Sequence, residues 1–361
     1  MTLLHDLYRL QGQSPWLDNL RRDELHDGHI ADLVRRGVRG ITSNPTIFQK
    51  AISSSSAYDE QIESCRSRGL STVETYWDLV VTDVVEACRL LSPLHRESEG
   101  EDGFVSLEVD PHLAHDADAT VRMALELAQR IGLPNLMIKV PATQECLGAI
   151  TAILASGISV NVTLIFGLRR YEQVLEAFLE GLRSCAALNP ARMSHVRSVA
   201  SFFVSRVDST IDPRLESLGR PEIGGQAAVH QARVAYQLQD RFFARSEWLD
   251  LEKRGAHRQR PLWASTSTKN PAYPDLLYVD SLIGPGSVNT LPEPTLLAFE
   301  HHGVVARTID HQPEVSDRFL ADLEKMGIDM DEVASTLERE GISSFAQSFD
   351  QLIEALRSKT S

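Results

Sequence analysis

Apolar and polar positions along this chain follow two different periods. Short apolar or β-branched runs occur at 15–17, 39–42, 104–109, 136–140, 158–166, 196–204, 260–265 and 275–279. Between them lie segments with helical spacing. Residues 117–131 place Val121, Leu125 and Ala128 on one stripe, and 167–182 place Leu168, Tyr171, Val174, Leu175 and Phe178 on another. Residues 223–243, rich in alanine and glutamine, read as a further long helix. Eight strand-like runs alternating with helices predict parallel βαβ units. Runs as apolar as 135–140 fit a parallel sheet covered on both faces. Two architectures meet this pattern: a closed (β/α)8 barrel and an open doubly wound sheet. No glycine-rich dinucleotide fingerprint follows an early strand, which favours the barrel. The best candidate for a domain break, the acidic segment 96–103, is short and reads as a loop. A single domain over 1–361 is therefore expected. The chain from 313 to 361 would add two helices, near 315–324 and 342–356, packed outside the barrel.

Polar residues stand where such a barrel should carry its site, at the carboxyl ends of the strands. The first run ends in Asp18 and Asn19, and the second in Thr42, Ser43 and Asn44. Lys139 interrupts the fourth, between Ile138 and Val140. Two readings stand open for it: an edge lysine whose ammonium reaches solvent, or a buried lysine kept for chemistry. Burial favours a neutral amine able to attack a carbonyl. In the third run, Ser106 and Glu108 share one face. On an edge strand that face would meet solvent. In a barrel it is the lumen, where a carboxyl can act as general acid or base. Asn161 and Thr163 likewise share a face. Asp23 is the better cap for a helix running to Arg36, which leaves Asp18 free. Asn44-Pro45 also reads as a plain turn. Trp16 and Trp263 read as packing. His112 and His115 lack a third ligand nearby, so no metal is expected.

Composition narrows the partners. Hydrophobic residues make up 42% and charged residues 24%, ordinary for a globular chain, and the formal net charge is -14. Nucleic acid and anionic membrane are poor partners for so acidic a chain. An anionic small substrate would need a local basic cluster. Neither a signal peptide nor a membrane span is apparent, and the four cysteines form no CxxC pair, so reduced thiols and a cytoplasmic location are expected.

The strand ends, taken in order, resemble the transaldolase family, in particular its longer bacterial branch. The matching segments are 12–18 (GQSPWLD), 40–48 (GITSNPTIF), 105–109 (VSLEV), 135–143 (NLMIKVPAT), 158–166 (ISVNVTLIF), 200–208 (ASFFVSRVD) and 263–271 (WASTSTKNP). The resemblance runs from about Gly12 past Gly303. It implies a class I aldolase-type barrel without metal or organic cofactor, acting on sugar phosphates in the pentose phosphate pathway. Dihydroxyacetone would pass from sedoheptulose 7-phosphate to glyceraldehyde 3-phosphate. By position, Lys139 matches the Schiff-base lysine and Asp18 the acid/base at the sugar C4 hydroxyl. Glu108 with Thr163 matches the pair that holds a catalytic water. Asn44, Asn161 and Ser201 match residues that hold dihydroxyacetone. Arg206, Ser267 and Lys269 match the phosphate clamp, although a glycine is expected in near relatives where Ser267 stands. Two rivals remain: a fructose 6-phosphate aldolase, and a sugar-phosphate-binding barrel without catalysis. Glu108 favours transfer over the aldolase. A monomer or homodimer fits either.

Overall fold

The strands form where buried runs can be covered on both faces. In the computed structural model, which describes residues 1–360, they are β1 Ser14–Leu17, β2 Gly40–Thr42, β3 Phe104–Glu108, β4 Leu136–Pro141, β5 Val160–Ile165, β6 Ser198–Phe203, β7 Arg260–Ala264 and β8 Val288–Leu291. Each pairs in parallel with the next, and β8 pairs with β1, so the sheet closes. Closure excludes the doubly wound alternative. Every strand residue except Arg260 is buried, as expected when side chains fill the lumen and helices cover the outside.

The eighth strand lies elsewhere than the sequence pattern places it. Within 275–279 there is only the short helix Leu277–Asp280, and the strand follows at Val288–Leu291. Its Asn289 and Thr290 face buried partners: Thr266 Oγ1 donates to Asn289 Oδ1 at 2.9 Å, and Thr290 Oγ1 bonds Thr42 Oγ1 at 2.6 Å. Two polar residues in a four-residue strand leave little apolar signal. Asp23 is also not a cap. The helix Arg22–His26 starts after Arg21, and Gly28, at φ 87, separates it from His29–Arg35. Asp23 instead pairs with Arg21 at 2.7 Å. In Ala117–Ile131 the buried face is Thr120, Ala124, Leu127 and Ile131, while Leu125 of the expected stripe is exposed.

The amino-terminal end of the barrel is closed by charge. Asp102, fully buried, accepts hydrogen bonds from Ser14 Oγ at 2.8 Å, Arg39 Nε at 2.6 Å and Arg260 Nη1 at 3.2 Å. The loop beginning near residue 98 therefore ties β1, β2, β3 and β7 together. Its Gly103, at φ 77, passes so close to His95 that a Cβ would lie 2.5 Å from the His95 nitrogen.

The two C-terminal helices are longer than expected, Pro313–Lys325 and Met330–Thr360. The first packs on Ala227–Phe243, where His230 stacks on Phe319 at 4.4 Å. The second does not keep to the outside. It packs against β5, the helix Pro45–Ser54 that follows β2, and the helix Ser205–Ser217 that follows β6. It therefore crosses the carboxyl end of the barrel.

Candidate active site

Register brings the lumenal groups side by side. Glu108 of β3 is level with Lys139 of β4, and Lys139 with Asn161 of β5. Lys139 is buried, which decides against the edge reading. Its Nζ donates to the Ser43 carbonyl at 2.9 Å and lies 3.2 Å from Glu108 Oε2. Glu108 is buried too, and burial pushes its carboxyl above the usual range, opposed by the Lys139 charge. Asn161 is held on both sides: its Nδ2 donates to Ser106 Oγ at 3.0 Å, and its Oδ1 accepts from Ser201 Oγ at 2.6 Å.

β5 is irregular at this point. Its pairing with β6 shifts between Val162 and Ile165, and Leu164 takes φ 59, rare for a branched side chain. Bulges beside sites commonly re-aim one residue. Thr163 lies within the shifted stretch, and its buried Oγ1 has no hydrogen-bond partner among the described residues.

A cavity of about 400 Å³ opens at the carboxyl ends of the strands. Asp18, Asn44, Lys139, Thr163, Ser201, Arg206, Ser267 and Lys269 all line it, whereas Glu108 and Asn161 lie behind its wall. Asp18 accepts from Thr42 Oγ1 at 2.7 Å. Burial raises its pKa, and the Lys139 charge pulls the other way. Asn44 caps Pro45–Ser54, its Oδ1 taking the Ile47 N–H at 3.0 Å, so its NH₂ is left for the cavity. Arg206 lies over the Phe203 ring at 5.4 Å. Lys269 Nζ donates to Ser267 Oγ at 2.6 Å, so a serine where glycine was expected holds the lysine. Burial and then the like charge of Arg206 lower the Lys269 pKa. Among the described residues neither cation forms an ion pair with a carboxylate.

Sequence reasoning missed several lining residues. Thr290 lay in the unread strand. Lys50 stands on the helix after β2, and Phe345 comes from the last helix, far along the chain from any strand. No local pattern marks either. The two histidines weighed as ligands go to different partners, His112 to Asp350 at 2.8 Å and His115 to Glu145 at 3.2 Å. Glu24, His29 and Glu293 cluster with their ligand atoms within 4.8 Å of one another, yet His29 already pairs with Glu293 at 2.7 Å, and Asn19 donates to Glu24 at 2.7 Å.

Residues 15–356 match a family model described as transaldolase/fructose-6-phosphate aldolase. Among curated relatives, a transaldolase of Frankia alni is 49% identical over 348 residues, covering 95% of this chain and 93% of its own. A transaldolase of a Parafrankia species is 49% identical, covering 96% and 95%. A protein named transaldolase 2 from Streptomyces coelicolor is 46% identical, covering 96% and 94%. No helix among the described residues is long and apolar enough to cross a membrane.

Proposed function

Because the chain belongs to the transaldolase/fructose-6-phosphate aldolase family, we propose that it is a transaldolase that carries a dihydroxyacetone unit between sugar phosphates on Lys139. One observation carries the reading: a buried lysine amine, 3.2 Å from a buried carboxyl, opens on a cavity with Asp18 near one wall and the cations Arg206 and Lys269 along its lining.

The chemistry assigns each group a task. The Lys139 amine adds to the C2 carbonyl of a ketose phosphate, and loss of water gives a protonated imine. Proton movements on the carbinolamine fall to Glu108, acting through water. Thr163 Oγ1 supports this, since it is buried without a hydrogen-bond partner among the described residues and such an atom is expected to hold water, while Glu108 Oε2 stands 3.2 Å from the amine it serves. Asp18 takes the C4 hydroxyl proton as the C3–C4 bond breaks. The electron pair flows into the imine, leaving a three-carbon enamine and a free aldehyde. Asn44 and Ser201 hold the enamine through its hydroxyls, and Asn161, behind the wall, orients the Ser201 hydroxyl that donates to it. An acceptor aldehyde then enters, its carbonyl carbon is attacked by the enamine, Asp18 returns the proton to its oxygen, and water hydrolyses the resulting imine to free the new ketose and the Lys139 amine. Arg206 and Lys269, with the Ser267 hydroxyl, receive the phosphate. We propose sedoheptulose 7-phosphate as donor and glyceraldehyde 3-phosphate as acceptor, in a cytoplasmic monomer or homodimer of the pentose phosphate pathway. No step calls for a metal or organic cofactor.

Borohydride trapping with fructose 6-phosphate tests the reading. The expected result is one covalent adduct, on Lys139, with activity lost in step with labelling. An adduct on another lysine, or a fully active Lys139→Ala variant, would refute it. Product analysis without acceptor separates transfer from simple aldol cleavage.

A further inference from the structure

The last helix contributes Phe345 to the cavity lined by Lys139 and Asp18. Its neighbours fix where that ring sits. About one turn earlier, Gly341 lies against β5: a Cβ there would come 2.9 Å from Leu164 Cδ2 and 3.6 Å from Phe166. Leu164 is the residue directly after Thr163. About one turn later, Ser348 Oγ bonds Thr46 Oγ1 at 2.8 Å, on the helix after β2. Phe349 next packs on Tyr76 at 5.1 Å and edge-on to His112 at 5.8 Å. The helix thus bridges the ends of β5 and β2. Between them in the barrel stand β3 and β4, which carry Glu108 and Lys139. Phe345 itself is 5% exposed.

A phenyl ring at this place has a chemical consequence. The enamine left after cleavage has two fates. Its C3 can attack the carbonyl carbon of an aldehyde, forming a new C–C bond while the aldehyde oxygen takes the proton from Asp18. Alternatively C3 takes a proton, giving back the imine. Water then adds at C2, the C–N bond breaks, the Lys139 amine leaves, and free dihydroxyacetone departs. Both fates end when one water frees an imine from Lys139, but only the second lets a proton and water act on the three-carbon intermediate before an aldehyde arrives. An apolar ring over that end of the lumen keeps solvent away while the aldehydes exchange.

We infer that Phe345, delivered by the C-terminal helix, is the shield that sets the partition between transfer to an aldehyde and release of dihydroxyacetone by water. The inference rests on the Schiff-base transfer proposed above. It makes the C-terminal helix part of the active centre, although no group on it reacts.

The test compares the full-length enzyme with Phe345→Ala and Phe345→Leu. With fructose 6-phosphate as donor, free dihydroxyacetone is measured without acceptor, and transfer product with erythrose 4-phosphate present. The ratio of release to transfer should rise about tenfold in Phe345→Ala, equivalent to a change of about 1.4 kcal/mol between two competing barriers. It should rise less in Phe345→Leu, which keeps an apolar cover and serves also if the alanine variant fails to fold. Borohydride should still label Lys139 in both. A merely structural role would lower both fates together and leave the ratio at its wild-type value, which would overturn the shield while leaving the transaldolase reading intact. A wild-type enzyme with neither adduct nor transfer would overturn that reading, and the inference with it.

Discussion

Two carboxyls sit near Lys139, and their surroundings differ. Glu108 lies behind the cavity wall, level with the lysine, whereas Asp18 lines the cavity and is held by Thr42 Oγ1 at 2.7 Å. For both, burial raises the pKa and the Lys139 charge opposes it. A raised carboxyl keeps its proton to higher pH than an ordinary one. In the mechanism proposed here cleavage needs Asp18 ionised, so activity should be lost as pH falls through its raised pKa, above the range of an unperturbed aspartate. We predict that acid bend in the kcat/KM profile of the wild type and its absence from the residual activity of Asp18→Asn. Each group should be worth about 10²–10⁴-fold, the usual range for a positioned acid or base. The steps should differ: Asp18→Ala should still trap donor at a normal rate yet fail to release aldehyde, while Glu108→Ala should trap slowly. Equal trapping in Glu108→Ala and wild type would remove Glu108 from imine formation.

At the scale of elements, the barrel ends do different work, and the amino-terminal end holds the sheet shut. Asp102 is fully buried against Arg39 and Arg260, and the loop that carries it reads as a mere polar connection in the sequence. Removing one partner of a buried pair leaves an uncompensated charge, which costs about 3–5 kcal/mol. An exposed pair such as His112–Asp350 is worth under about 1 kcal/mol. Asp102→Ala should therefore lower the urea midpoint far more than Asp350→Ala, while imine trapping by the folded fraction stays normal, because the clamp lies at the end opposite the cavity. Comparable midpoints for the two variants would show that the arginines find other partners.

The same scale explains what the sequence reveals. β1 to β7 are legible because each is an apolar run that ends in polar residues, and those ends carry the candidate site. β8 is not, since half of it is polar for the lumen, while 275–279 is apolar yet follows Pro274 into a short helix. The last helix is read from the sequence only near 342–356, although it begins at Met330. In the fold Gly341 is the close approach of the helix to Leu164, where a side chain would collide. That this helix then crosses the barrel mouth is set by tertiary packing. Val333, Leu337, Phe345, Phe349, Leu352 and Leu356 are all buried, at about 1.5–3 kcal/mol each for complete burial. That outweighs the exposed ion pairs along the helix, and a local window cannot reveal it.

Taken whole, the molecule repels its own substrate. Its formal net charge is -14, and sugar phosphates are anions. Binding therefore needs a local reversal of sign, and we propose that Arg206 and Lys269, which line the cavity, supply it. Each follows one of two adjacent strands, β6 and β7, so both face the same mouth. Arg206 is half-buried, and its guanidinium lies over the Phe203 ring at 5.4 Å, with its planar fork available to a phosphate. Lys269 is more exposed and is steadied through Ser267 Oγ at 2.6 Å. Partial burial, and then the like charge of Arg206, lower the Lys269 pKa, a repulsion that an incoming phosphate would offset. A hydrogen bond to a charged group is worth about 1.5–3 kcal/mol, so Arg206→Ala should raise KM for fructose 6-phosphate by roughly 10–100-fold. Lys269→Ala should raise it less, because solvent screens its charge. Unphosphorylated fructose, measured at the same ionic strength, should bind both variants and the wild type alike. An equal loss on both sugars would mean that the two cations shape the mouth without holding the phosphate.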